Sequence, residues 1–206
     1  MQWLFLALGL ILPLESLAID LKEYPLLTPL RLELTREYCK QHYGLDTYNL
    51  VNPRMIVIHF TGTDSLEGSL GTFKPETIAT SRVYVKKFGK VNVGVHFLIS
   101  KAGEIYSLLP ENIIGRHTIG FNHLSLGVEL VSSTAEGLTE EQLMSTAVLV
   151  ESLVDKYPTL EYLIGHHEYV DKDLPHYQLY RELDPDYAPT VKVDTGDRFM
   201  VALRKI

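Results

Sequence analysis

Two short apolar runs in this chain end in imidazoles, and a third segment offers a carboxylate. Met55-Ile56-Val57-Ile58 leads into His59, Tyr162-Leu163-Ile164-Gly165 leads into His166 and His167, and Asp194 follows Lys192-Val193. An imidazole buried without a partner costs about 1–3 kcal/mol. His59 therefore needs a hydrogen-bond partner, a metal ion or a cleft. Two imidazoles and one carboxylate leave a fourth position open, which is the donor set of a catalytic zinc. Residues this far apart carry no spacing signature, so a metal site and a satisfied structural histidine both stay open. Glu129, between Val128 and Leu130 in an otherwise apolar run, raises the same question. It needs either a partner such as Lys192 or a cleft.

The elements that must position these groups read as follows. Residues 55–58 are apolar and rich in β-branched side chains, with Gly62 beyond, so they predict a strand buried on both faces. Residues 93–100 and 104–109 predict two strands, and Lys101-Ala102-Gly103 between them predicts a hairpin. Further strands are expected at 126–131 and 162–165. The clearest helix covers 139–157, opening on the capping-box pattern Thr139-Glu140-Glu141-Gln142 and stopping before Pro158. Leu143, Ala147, Val150, Val154 and Tyr157 recur at three and four and predict its sheet-facing side. A helix is expected from Pro75 to Phe88, a short one over 34–43 stopped by Gly44, and a last one over 199–205. Residues 62–71 read as a flexible polar loop. The sum is a single α/β domain over 51–206, with a mixed central β-sheet flanked by helices. A lead-in over 19–50 carries the short helix.

Bulk properties narrow the function classes. The chain has 206 residues, 46% hydrophobic and 22% charged, with a formal net charge of −7. That balance argues against a nucleic-acid binder that works by neutralising phosphates, and against adhesion to anionic lipid. Residues 1–18 differ in kind: an uncharged apolar block followed by Ser16-Leu17-Ala18, a small-x-small cleavage pattern. The block is short for a membrane span. A signal peptide is expected, though no Lys or Arg precedes the block. Export to the periplasm or the extracellular space follows, with no stable membrane insertion after cleavage. Cys39 is the only cysteine, so no internal disulfide framework exists, and it reads as a small buried side chain.

Five segments, in order, resemble the type-2 N-acetylmuramoyl-L-alanine amidases, which share a zinc amidase fold with peptidoglycan recognition proteins. These are Ile56-Val57-Ile58-His59-Phe60-Thr61; Val95-His96-Phe97-Leu98-Ile99 with Gly103-Glu104-Ile105-Tyr106; Gly115-Arg116-His117-Thr118-Ile119-Gly120-Phe121-Asn122 with Ser125-Leu126-Gly127-Val128-Glu129-Leu130; Ile164-Gly165-His166; and Lys192-Val193-Asp194-Thr195-Gly196. The last departs from the family's K-x-D-P-G, with Thr195 for proline. The resemblance implies one zinc ion held by His59, His166 and Asp194, Glu129 as general base, and Lys192 stabilising the developing oxyanion. It implies peptidoglycan or muropeptides as the partner, and a monomer is expected. His117, Asn122 and His96 are weaker candidates for substrate contact; the alternatives are core packing for His96 and holding a loop for Asn122. His167 reads as structural, His42 and His123 as surface residues, and His176 as a remote rival to His166. The segment 169–189, rich in Tyr, Asp and Pro, lengthens the connection to Asp194. It is either a wall over the cleft or a loop packed on itself. The competing function is a peptidoglycan-binding module that does not cut.

Overall fold

The computed structural model describes residues 19–206; the expected leader at 1–18 lies outside the described residues. Six strands form one mixed sheet: β1 (Leu21–Glu23), β2 (Met55–Phe60), β3 (Phe97–Ile99), β4 (Ile105–Ser107), β5 (Ser125–Leu130) and β6 (Tyr162–Gly165), in the order β1-β4-β3-β5-β2-β6. Only β3 and β4 are antiparallel, joined by the expected hairpin; every other pairing is parallel. Met55, Ile56, Val57 and Ile58 are each at most 1% exposed, so β2 is covered on both faces. That is why it reads as an unbroken apolar run without alternation.

The helices are α1 (Pro29–Tyr43), α2 (Leu66–Phe73), the single turn α3 (Val83–Lys86), α4 (Glu140–Lys156) and α5 (Asp197–Leu203). Among the described residues, no helix is long and apolar enough to cross a membrane. Thr139 caps α4 in a full capping box with Gln142, as its sequence predicts. Of the expected sheet-facing residues, Leu143, Ala147, Val150 and Tyr157 pack half-buried against the core, but the fully buried stripe lies beside them. It is centred on Gln142, Thr146, Leu149 and Leu153, while Val154 is 46% exposed. The reason is polar: the Gln142 amide donates to the carbonyls of Ile99 and Val131, so this end of the helix docks through hydrogen bonds.

Two further expectations need correction. The polar stretch after β2 is not a loop but contains α2. Ser65 caps it by accepting from Gly68 N–H, and Phe73 enters a second apolar cluster with Leu98 and Val131. Conversely, 75–88 is not a helix beyond the one turn of α3. Its start pairs with residues 90–92 instead, Ile78 N–H donating to the Lys90 carbonyl and Asn92 N–H to that of Glu76, and buried side chains claim carbonyls at both ends. Arg31 donates to those of Phe73 and Pro75, Asn92 to Pro75, and Arg116 to Val85, Phe88, Gly89 and Val91.

The lead-in is likewise no appendage. Leu34, Tyr38, Cys39 and Tyr43 of α1 belong to the main core. Cys39 is buried and free, and burial pushes its thiol up to about 12, so it is inert filling. His42 is fully buried, not at the surface, and His123 is half-buried beside the Tyr43 ring. Each large apolar side chain buried this way is worth roughly 1.5–3 kcal/mol, against a typical whole-domain stability of about 5–15 kcal/mol. A chain begun at residue 45 is therefore expected to show no cooperative thermal transition, where the chain from Ile19 shows one. A sharp melt in the shortened chain would make α1 dispensable.

Candidate metal centre

Strand pairing delivers the first groups. In the parallel register His59 lies opposite Glu129 of β5, and Ile58 lies opposite Gly165 of β6, so His166 emerges next to His59. All three groups therefore sit at the carboxyl ends of neighbouring strands, where open α/β sheets place their ligands. Asp194 arrives from the segment before α5. His167 N–H donates to the Asp194 carbonyl at 2.6 Å, and the His167 ring bridges Gly196 N–H and the Asp197 carboxylate. Gly165 makes room for this: a Cβ there would come within 2.6 Å of the His167 ring and 2.9 Å of Thr195 Oγ1. His167 thus holds the segment of Asp194 and is structural, as its sequence position predicts.

Three donor atoms converge. His59 Nδ1 lies 2.9 Å from His166 Nδ1 and 3.3 Å from Asp194 Oδ2, and His166 Nδ1 lies 2.8 Å from the same oxygen. Ligand atoms around a tetrahedral ion with bonds of about 2.0–2.1 Å stand roughly 3.3 Å apart, so the cluster is slightly tighter than that and suits a single small ion. Its charge also suits a cation. Burial pushes the His166 imidazole down to about 3, and the neighbouring His59 adds to this against the pull of Asp194, so His166 is neutral near pH 7. Burial works against ionisation of Asp194, but its contacts with the His166 and His59 imidazoles outweigh it and hold the carboxyl well below its ordinary range. One carboxylate and two imidazoles are a donor set for one zinc ion.

The centre opens into a cleft of about 220 Å³, whose lining includes Glu129, Lys192, Arg82 and Tyr187. Glu129 is half-buried, and its Oε2 has no hydrogen-bond partner, Lys192 included. Burial raises its carboxyl well above the ordinary value, the Asp194 charge adds to that, and Arg82 and Lys192 pull the other way. Of the weaker candidates, His117 lines the cleft and touches His59, its Nδ1 lying 3.1 Å from His59 Nε2. Asn122 also borders the cleft, and both ends of its amide are engaged by protein groups that hold the loop of His117. His96 is fully buried and takes no part in the cleft lining. Its Nδ1 accepts from Gly127 N–H and its Nε2 donates to Ile113, with burial pushing it down to about 4. His176 is buried outside the metal cluster.

The segment 169–190 forms a wall. Tyr187 stacks on Phe88 at 4.3 Å, Tyr84 donates to the Ala188 carbonyl, and Thr190 exchanges two hydrogen bonds with the Tyr169 hydroxyl. Tyr187 and Thr190 both face the cleft. Sequence reasoning missed Arg82, which lies just before a turn with no motif around it. It also missed Thr118, although that residue stands inside the His117 motif.

Comparison with known proteins agrees with this geometry. The sequence profile of the family described as N-acetylmuramoyl-L-alanine amidase matches residues 49–186. The endolysin of Escherichia phage T7 is 33% identical over 106 residues, covering 48% of this chain and 70% of the phage protein. Peptidoglycan recognition protein 3 of Mus musculus is 29% identical over 159 residues, covering 76% of this chain but 44% of its own. The crystal structure of a selenomethionyl AmpD derivative superposes with a TM-score of 0.56 at 19% identity, covering 93% of this chain and 96% of that one, which shows the shared fold.

Removing the carboxylate tests the centre directly. Losing an outer partner of a metal ligand typically costs about 10–100-fold in affinity, so Asp194→Ala should weaken zinc binding by more than that in a chelator competition. Wild-type affinity in that variant would remove Asp194 from the ligand set.

Proposed function

The chain belongs to the N-acetylmuramoyl-L-alanine amidase family, and on that premise we propose that it hydrolyses the amide bond between N-acetylmuramic acid and L-alanine in peptidoglycan or its fragments. The observation that carries the proposal is the three-donor cluster of His59, His166 and Asp194 with the unpartnered Glu129 carboxylate beside it in one cleft. A binding module would need neither a complete ligand set nor a buried carboxylate without a partner.

Bound zinc supplies a Lewis acid for the scissile carbonyl and an activated water. The chain's own groups do the rest. His59, His166 and Asp194 hold the ion. Glu129 is the general base: it takes the proton of the attacking water on its free oxygen and returns it to the departing alanine nitrogen, which must leave as an amine. Its raised affinity for protons suits both halves of that transfer, because a very acidic carboxyl would not give the water's proton a place to stay. Lys192, also in the cleft lining, stabilises the oxyanion that develops on the carbonyl. The wall at 169–190 limits access of bulk water to the site from its side.

The test is release of alanine amino groups from purified peptidoglycan, which should stop with a chelator and return with zinc. Glu129→Gln should keep zinc and lose about 10²–10⁴ of turnover, the usual range for a general base; unchanged turnover would remove Glu129 from the mechanism. A base works deprotonated, so kcat/KM should rise with pH through an apparent pKa that lies above an ordinary carboxylate. Arg82 helps hold Glu129 ionised, so Arg82→Ala should move that acid limb to higher pH. A limb that stays in place or moves down would show that Glu129 does not set it.

A further inference from the structure

Only one of the two ring nitrogens of His59 faces Asp194. The other, Nε2, lies 3.1 Å from Nδ1 of His117 and 3.4 Å from Oγ1 of Thr118. On its far side, His117 Nε2 meets two oxygens of Ser125. The carbonyl, at 3.4 Å, can only accept. The hydroxyl, also at 3.4 Å, has its proton engaged by the Phe121 carbonyl and so accepts as well. The proton of His117 therefore belongs on Nε2, which leaves Nδ1 an acceptor shared by the Thr118 hydroxyl, which donates to it at 2.8 Å, and His59. His59 must then donate from Nε2, and its Nδ1 lone pair faces His166 and Asp194.

The place of His117 is itself built. Its ring lies against β5 where Gly127 has no side chain; a Cβ there would come within 2.9 Å of three ring atoms. Asn122 Oδ1 accepts the backbone N–H of His117 at 2.8 Å and of Thr118 at 2.6 Å. Asn122 Nδ2 in turn donates to the hydroxyls of Tyr38 at 3.1 Å and Tyr43 at 3.0 Å, both on α1. An unbroken series of buried hydrogen bonds thus runs from α1 to the first ligand. Helix α1 precedes the span 49–186 matched by the family profile.

We propose that His117, with Thr118 beside it, is a positioning residue that accepts the Nε2–H of His59 and fixes the tautomer that presents Nδ1, and that Tyr38 and Tyr43 hold this acceptor in place through Asn122. The inference rests on His59 as a ligand and not on the amidase reaction, and neither test below involves peptidoglycan. Partners of this kind orient metal-bound histidines, and losing one costs about 10–100-fold in affinity.

Two measurements on the chain from Ile19 decide it. Long-range ¹H–¹⁵N correlation on the metal-free wild type should show His59 protonated at Nε2; protonation at Nδ1 would overturn the proposal without any variant. Zinc affinity by chelator competition should fall about 10–100-fold in His117→Phe. It should recover largely in His117→Asn, which places an amide oxygen where Nδ1 stood. Equal losses in the two variants would make His117 mere packing, and no loss in His117→Phe would end its role. Tyr38→Phe combined with Tyr43→Phe should weaken zinc in the same direction by less, and unchanged affinity there would overturn the part assigned to α1. If His117→Phe does not fold, the wild-type tautomer and the Asn variant still give the answer.

Discussion

Parallel pairing fixes where β5, β2 and β6 end relative to one another, and the chemical groups of this molecule hang from those ends. The register sets Met55 against Ser125 and Tyr162, and by the last rungs it has set His59 beside Glu129 with His166 one step beyond Gly165. A strand with one buried face resists slipping because a one-residue shift turns its apolar set outward. β2 lacks that safeguard, since its residues are apolar on both faces. Its polar end does the work instead. Drawing His59 or Glu129 one rung into the sheet would bury an imidazole or a carboxylate away from the cleft, at a cost of about 1–3 kcal/mol or more. The site and the register enforce each other.

Electrostatics follow from the same crowding. Two imidazoles and a carboxylate converge on a common place, with contacts as short as 2.8 Å. Burying a charge among acceptors is unfavourable unless something of opposite sign joins them, and a divalent ion is the species that the three donors have in common. The surroundings differ from the chain as a whole, whose formal net charge is −7. Arg82 and Lys192 line the cleft, and the buried Arg116 is held by backbone carbonyls and the Tyr187 hydroxyl. Arg82 and Lys192 favour the ionised form of Glu129, against the burial and the Asp194 charge that raise its carboxyl.

What the sequence disclosed was whatever local physics decides. The run into His59, the capping box of α4, the hairpin at Gly103 and the small residue before His166 each follow from a few adjacent side chains. What it concealed depends on partners far along the chain. Gly68 and Gly71 argue against a helix, and α2 forms because Phe73 has a second apolar cluster to enter. Pro75 and Gly89 suit the ends of a helix, yet Glu76 and Ile78 pair with Asn92 and Lys90 across an antiparallel bridge. His42 reads as a surface residue until Glu182, 140 residues away, is placed 2.8 Å from its Nδ1. The metal ligands themselves were legible only by resemblance, since their spacing carries no signature.

Helix α1 ties the remaining parts together. On this one helix Tyr38 and Tyr43 engage Asn122, which holds the loop against His59, while His42 engages Glu182 of the cleft wall and the Phe88 carbonyl beneath Tyr187. The wall is fastened again where Leu183 N–H meets the His42 carbonyl and Tyr187 stacks on Phe88. A shift of α1 would therefore reach the first ligand through one set of hydrogen bonds and the cleft wall through another. Both α1 and the segment carrying Lys192 and Asp194 lie outside residues 49–186, the span the family profile matches. The matched span supplies five of the six strands, two of the three donors and the base. The flanking parts supply the third donor and the helix that braces donor and wall at once.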